Sequence, residues 1–100
     1  MALKFDGKNL KKGSTTLANL NNDKIYEGYN RSKTICNINN EKVYEGYNRS
    51  KTLCNVYNGK IYEGYNRSKT LTTIKDAQKL VQGNMNDTTL AAFWFFFQNS

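Results

Sequence analysis

The chain has neither histidine nor proline. Without histidine, the Ser-His and Cys-His nucleophile systems, the usual neutral-pH general base and the commonest zinc ligand are all excluded. Two cysteines, Cys36 and Cys54, are too few to build a structural zinc site on their own. Acidic residues are also sparse. Eight Asp and Glu against fifteen Lys and Arg leave a net charge of +7, and no dense oxygen-ligand loop for a hard cation is visible. Tryptophan occurs once, at Trp94, so a cage of tryptophans for a quaternary ammonium, one from each of several hairpins, cannot be built. The longest apolar run, Leu90 to Phe97, is eight residues, against the ~20 that a membrane-spanning helix needs. The start, Met1-Ala2-Leu3-Lys4-Phe5-Asp6, has no apolar segment before a small-residue cleavage site, so no signal peptide is expected. The expected location is therefore cytoplasmic, with both thiols reduced and acting as small buried apolar groups. On that expectation, Asn30-Arg31-Ser32, Asn48-Arg49-Ser50, Asn66-Arg67-Ser68 and Asn86-Asp87-Thr88 match the glycosylation pattern only by chance.

What the chain does have is a repeat. Ile25 to Thr34, reading Ile-Tyr-Glu-Gly-Tyr-Asn-Arg-Ser-Lys-Thr, recurs with one change at Val43 to Thr52 and identically at Ile61 to Thr70, a spacing of 18 residues. A decayed copy precedes them: Ser14, Thr16, Leu17 and Leu20 fall in register with the later copies. Upstream of Ser14, a two-residue deletion aligns Phe5-Asp6-Gly7-Lys8 with Tyr57-Asn58-Gly59-Lys60. Four units result, at about residues 5–20, 21–38, 39–56 and 57–75, within a repeat domain spanning 1–75.

Each unit reads as a β-hairpin, rich in β-branched and aromatic residues and punctuated by Asn, Gly and Ser. Asn58-Gly59, Asp6-Gly7 and Asn22-Asp23 are tight-turn dipeptides between units. Two strands and two turns use up 18 residues, leaving no room for a helix inside a unit. A lone hairpin is marginal in water, so the units are expected to bury apolar columns against one another, in a pseudo-four-fold radial arrangement. Leu17, Ile35, Leu53 and Leu71 are the expected core column. Strand parity puts Ile35 and Asn37 on one face and Thr34, Cys36 and Ile38 on the other. Either both faces are partly covered, or a bulge reorients the strand.

After Ile74 the period breaks. Asp76 to Gln82, stopped by Gly83, reads as a short helix. A second, capped by Asn86 or Asp87, runs from about Thr88 to Phe97 and is apolar nearly all round, with Leu90, Phe93, Trp94 and Phe97 sharing one face. Residues 76–100 are thus expected to be a helical tail packed on the repeats or on a second chain.

Four units of this length, each reading aromatic-Glu-Gly, then Ser-Lys-Thr-Leu, then Asn-Gly-Lys, resemble the bacterial four-fold β-flower domain over residues 5–75. The helical tail is similar too. The first copy departs from the pattern, lacking the Tyr-Glu-Gly-Tyr segment. The resemblance implies a mainly β fold of four hairpin repeats and brings no established activity with it.

The Tyr-Glu-Gly-Tyr-Asn-Arg-Ser-Lys block is the candidate site. Repetition puts Tyr26, Tyr44 and Tyr62, or Tyr29, Tyr47 and Tyr65, in a series beside Arg31, Arg49 and Arg67. Aromatic faces and guanidinium groups suit stacked bases and phosphates. The plainer account is that tyrosine is a favoured strand residue, that the copies are recent duplicates, and that Glu27 and Arg31 form cross-hairpin charge pairs. Glu27, Glu45 and Glu63 have near-identical surroundings, whereas an acid and a base need different ones, so catalysis is not expected. Gly28, Gly46 and Gly64 open no helix and are not a phosphate loop. The expectation is a non-enzymatic binding or assembly module with no cofactor or metal. Its alternatives are a polyanion binder (single-stranded nucleic acid) using Tyr29, Arg31, Tyr47, Arg49, Tyr65 and Arg67, and a homodimer formed through Phe93, Trp94, Phe95, Phe96 and Phe97.

Overall fold

The computed structural model describes residues 3–99. Its strands are β1 (Leu3–Phe5), β2 (Asn9–Lys12), β3 (Thr15–Asn21), β4 (Lys24–Glu27), β5 (Thr34–Asn39), β6 (Lys42–Glu45), β7 (Thr52–Tyr57), β8 (Lys60–Glu63), β9 (Thr70–Thr73) and β10 (Val81–Gly83). Helix α1 (Ile74–Leu80) lies between β9 and β10, and α2 (Asp87–Phe97) follows β10. The strands form one mainly antiparallel sheet in the order β10-β1-β2-β3-β4-β5-β6-β7-β8-β9. Repeated hairpins are laid side by side as a meander. The sheet is open between β9 and β10, and its order does not show the four-fold radial arrangement that the repeat suggested.

Turn chemistry explains the meander. Asn22-Asp23, Asn40-Glu41 and Asn58-Gly59 all have both residues at positive φ, the two-residue hairpin turn whose twist matches that of the strands it joins. At the other end of each hairpin, the six-residue segments 28–33, 46–51 and 64–69 join β4 to β5, β6 to β7 and β8 to β9. The ladder shifts register beside each of them: Ile25 pairs with Cys36 but Tyr26 with Thr34, leaving Ile35 as the extra residue. Leu17, Leu53 and Leu71 hold the same position in their own strands.

That bulge overturns the expected core column. Leu17, Ile35, Leu53 and Leu71 are only half-buried. The residues that line up across the ladder are the ones sealed from water, namely Ala18, Ile25, Cys36, Val43, Cys54 and Ile61, each at most 1% exposed. Both thiols are free and buried, and burial pushes each up to about 12.

The tail is not wholly helical. Val81–Gly83 turns back as β10 and pairs in parallel with β1, Gly83 lying opposite Phe5. A Cβ at Gly83 would stand 2.3 Å from the Phe5 carbonyl oxygen, and its φ is +131°, so only glycine allows the strands to approach there. Helix α2 begins where expected, with Asn86 Oδ1 accepting from the Thr89 N–H at 2.8 Å. Its first half is buried on every side, from Thr88 to Phe93. It packs against β5, β6, β7, β10 and α1, and the Phe93 ring lies 5.1 Å from that of Phe5 on β1.

One helix reaches both β7 and β10 because the sheet curls. Ten flat strands would span about 43 Å at their usual spacing, whereas the longest dimension of the molecule is 37 Å. Core side chains fill the concave face against α2, and α1 touches both end strands, β9 and β10. No helix among the described residues is long and apolar enough to cross a membrane.

Candidate functional site

The convex face carries the other strand parity. Asn19 pairs with Tyr26, Asn37 with Tyr44 and Asn55 with Tyr62. These asparagines are at most 3% exposed, and each is buried beneath a loop that it holds. Asn37 Nδ2 donates to the carbonyls of Gly46 at 2.9 Å and Asn48 at 2.7 Å. Asn19 does the same to Gly28 and Asn30, and Asn55 to Gly64 and Asn66. Within each loop a second asparagine tightens the turn: Asn30, Asn48 and Asn66 accept through Oδ1 from the hydroxyls of Ser32, Ser50 and Ser68. The glycine N–H of 28, 46 and 64 then donates back to the carbonyl of the bulge residue Leu17, Ile35 or Leu53. Loop, bulge and clamp make one unit, built three times.

That clamp fixes what each loop presents. Of the two tyrosine series, Tyr26, Tyr44 and Tyr62 are half-buried strand residues. Tyr29, Tyr47 and Tyr65 are 82%, 71% and 74% exposed, and Arg31, Arg49 and Arg67 beside them are exposed as well. Among the described residues, the ion pairs are Lys33 with Glu27 at 3.9 Å and Lys79 with Asp76 at 3.3 Å. The cross-hairpin partner of Glu27 is therefore Lys33, not Arg31, and the loop arginines carry unneutralised charge. Among the described residues, Arg67 is the loop arginine with an aromatic seat, its guanidinium carbon lying 3.6 Å from the Tyr57 ring centre. The positions equivalent to Tyr57 are Asn21 and Asn39.

Each later loop also faces the tight turn of the preceding hairpin, leaving two equivalent clefts. One, of about 290 Å³, has Asp23 and Lys24 from the turn, Asn37 below, and Tyr47 and Arg49 from the loop. The other, of about 390 Å³, repeats this with Glu41, Lys42, Asn55, Tyr65 and Arg67. The turns are anchored, since the carbonyl of Asp23 accepts from Ile38 N–H at 2.8 Å and that of Glu41 from Val56 N–H at 2.9 Å. Each cleft therefore sets an aromatic face, two cations and one carboxylate on a rigid base.

The proposed self-association residues are divided. Phe93 is fully buried and belongs to the core, so it is not free to meet a second chain. Trp94, Phe95, Phe96 and Phe97 are half-buried, and a groove of about 450 Å³ runs from Phe96 and Phe97 to Ile35 and Thr34. The Asn19, Asn37 and Asn55 clamp was missed by sequence reasoning. Its signal was a single residue type held in register at three copies and replaced by Thr73 in the fourth.

Comparison with protein-family models, curated proteins and solved structures found no match to the chain, so the likeness to the four-fold β-flower domain stands on repeat period, copy number and motif order alone.

Proposed function

We propose that this chain is a non-enzymatic binding module that holds an anionic polymer, single-stranded nucleic acid, along its three Tyr-Asn-Arg loops. The supporting observation is that Tyr29, Tyr47 and Tyr65 stand more than 70% exposed on buried amide clamps. A fold that used these rings only for packing would cover them. Rigidly supported, solvent-facing rings flanked by unpaired arginines suit base stacking and phosphate contact together.

The test is fluorescence anisotropy with labelled heterogeneous single-stranded oligonucleotides across a salt series. Binding is expected to weaken steeply between low and moderate salt. Arg31→Ala, Arg49→Ala and Arg67→Ala combined are expected to lower the slope of log K against log salt by about 2. No binding at low salt, or a slope unchanged in the triple variant, rejects this function.

A second reading, homodimerisation, draws on the half-exposed Trp94 and Phe95–Phe97 at the end of α2. Its test is whether Phe96→Ser with Phe97→Ser changes the sedimentation of concentrated protein. A wild-type chain that is monomeric at high concentration excludes it.

A further inference from the structure

The two clefts contain something that a pure phosphate site would avoid. Each places a carboxylate, Asp23 or Glu41, at the lip of a basic cleft. Neither carboxylate joins an ion pair among the described residues, although Lys24 and Arg49 line the cleft of the first and Lys42 and Arg67 that of the second.

Both acids also occupy left-handed backbone, which aspartate tolerates in a tight turn and glutamate does not favour. Asp23 and Glu41 each have φ +66°, and the equivalent residue of the third turn is Gly59, at φ +76°. Left-handed backbone at the second turn position favours glycine, and glutamate there is strained relative to it. The Asn58-Gly59 turn faces no Tyr-Asn-Arg loop, because the chain enters α1 beyond it. At the other end, Asp6 is occupied by its own turn, its Oδ1 accepting from Lys8 and Asn9 N–H. A free acid is thus kept in both turns that form a cleft, at a costly position in the case of Glu41, and is replaced by glycine where there is none. Strain held at such positions points to function.

A carboxylate accepts hydrogen bonds and repels phosphate. Placed among cations and an exposed ring, it calls for a ligand that supplies a hydroxyl next to its anion. Successive hairpins lie about 9.5 Å apart across the sheet, and three stacked nucleotides span about 10 Å. We infer that the clefts take single-stranded RNA in preference to DNA, laid across the hairpins, with Asp23 and Glu41 accepting from ribose 2′-hydroxyls. Lys24, Arg49, Lys42 and Arg67 meet the phosphates, and Tyr47 and Tyr65 stack on bases. This rests on the polymer-binding function proposed above and adds that the polymer is told apart by its sugar.

The test uses the full chain with RNA and DNA oligonucleotides of the same sequence, and with a carboxylated polysaccharide of similar length. The wild type is expected to favour RNA by about fivefold for each hydroxyl contact. Asp23→Gly combined with Glu41→Gly is expected to fold at least as stably, because glycine suits both turns. That variant is expected to lose the RNA preference while binding DNA no more weakly. Equal affinity of the wild type for RNA and DNA, or a preference that survives in the double glycine variant, overturns the inference and leaves polymer binding standing. Binding of the polysaccharide but of neither nucleic acid also overturns it, and no binding to any of the three rejects the function on which it rests.

Discussion

Asn55 and Asn37 do the same work, but among the described residues it is the Asn37 oxygen that is sealed from water with nothing to bond. Each donates two hydrogen bonds to loop carbonyls. Removing either side chain strands two carbonyls beneath a loop, at a cost of about 1–3 kcal/mol. Asn37→Ala also relieves an unsatisfied oxygen, so it is expected to destabilise less than Asn55→Ala in urea unfolding. Equal losses would show that the lone oxygen carries no penalty. The thiols offer a second measurement at this scale. Burial raises Cys36 and Cys54 from an ordinary 9.0 to about 12, so the folded state stays protonated where the unfolded chain ionises. Stability from these thiols is fully present below pH 9 and drains away as pH climbs towards 12. Lys and Tyr titrate in the same range, so the informative comparison is with Cys36→Ala plus Cys54→Ala, which is expected to fold, as Ala18 fills the equivalent site. Its stability is expected to fall less between pH 9 and 12 than that of the wild type. Parallel pH profiles would show that the thiols do not couple to folding.

At the scale of the element, the bulge decides which apolar residue matters. Ile61 faces Thr72 in the ladder and is sealed from water, while Leu53 is the inserted residue and only half-buried. Ile61→Ala is expected to cost about 2–5 kcal/mol, and Leu53→Ala roughly half of that or less. A larger loss at Leu53 would restore the leucine column to the core. Strand content, tight turns and the start of α2 were legible in the sequence because each depends on local residue preference. The bulge was legible only as a parity conflict, since alternation along a strand shows that something must give but not where the extra residue sits. β10 was not legible at all. Val81-Gln82-Gly83 pairs with a strand more than seventy residues away, and a three-residue parallel strand leaves no periodic trace. The Tyr and Arg residues were singled out by repetition alone, and which tyrosine series faces water depended on the Asn clamp that neighbours in space, not in sequence, complete. The end of the array follows from one exchange: where the clamp asparagine becomes Thr73, its hydroxyl accepts from Asp76 N–H and starts α1 instead of holding another loop.

For the molecule as a whole, the repeats are not self-sufficient. Neighbouring hairpins share backbone ladders, but the concave face that carries Ile25, Cys36, Val43, Cys54 and Ile61 needs a cover, and α2 supplies it. Leu90, Ala91, Ala92 and Phe93 are at most 2% exposed, so the helix is a core element rather than an appendage. A chain cut after Asp87 leaves an open apolar trough and removes the Phe93 contact that draws β1 and β10 towards the centre of the sheet. Loss of the cooperative urea transition is therefore expected on truncation, with aggregation through the exposed sheet face. The distal turn behaves differently. Phe96 and Phe97 are half-buried at the rim, and Phe96→Ser with Phe97→Ser is expected to retain a cooperative transition and the far-ultraviolet spectrum of the wild type. If the truncated chain instead unfolded cooperatively near the wild-type midpoint, the hairpins would be holding one another, and α2 would be free to serve as a detachable docking arm.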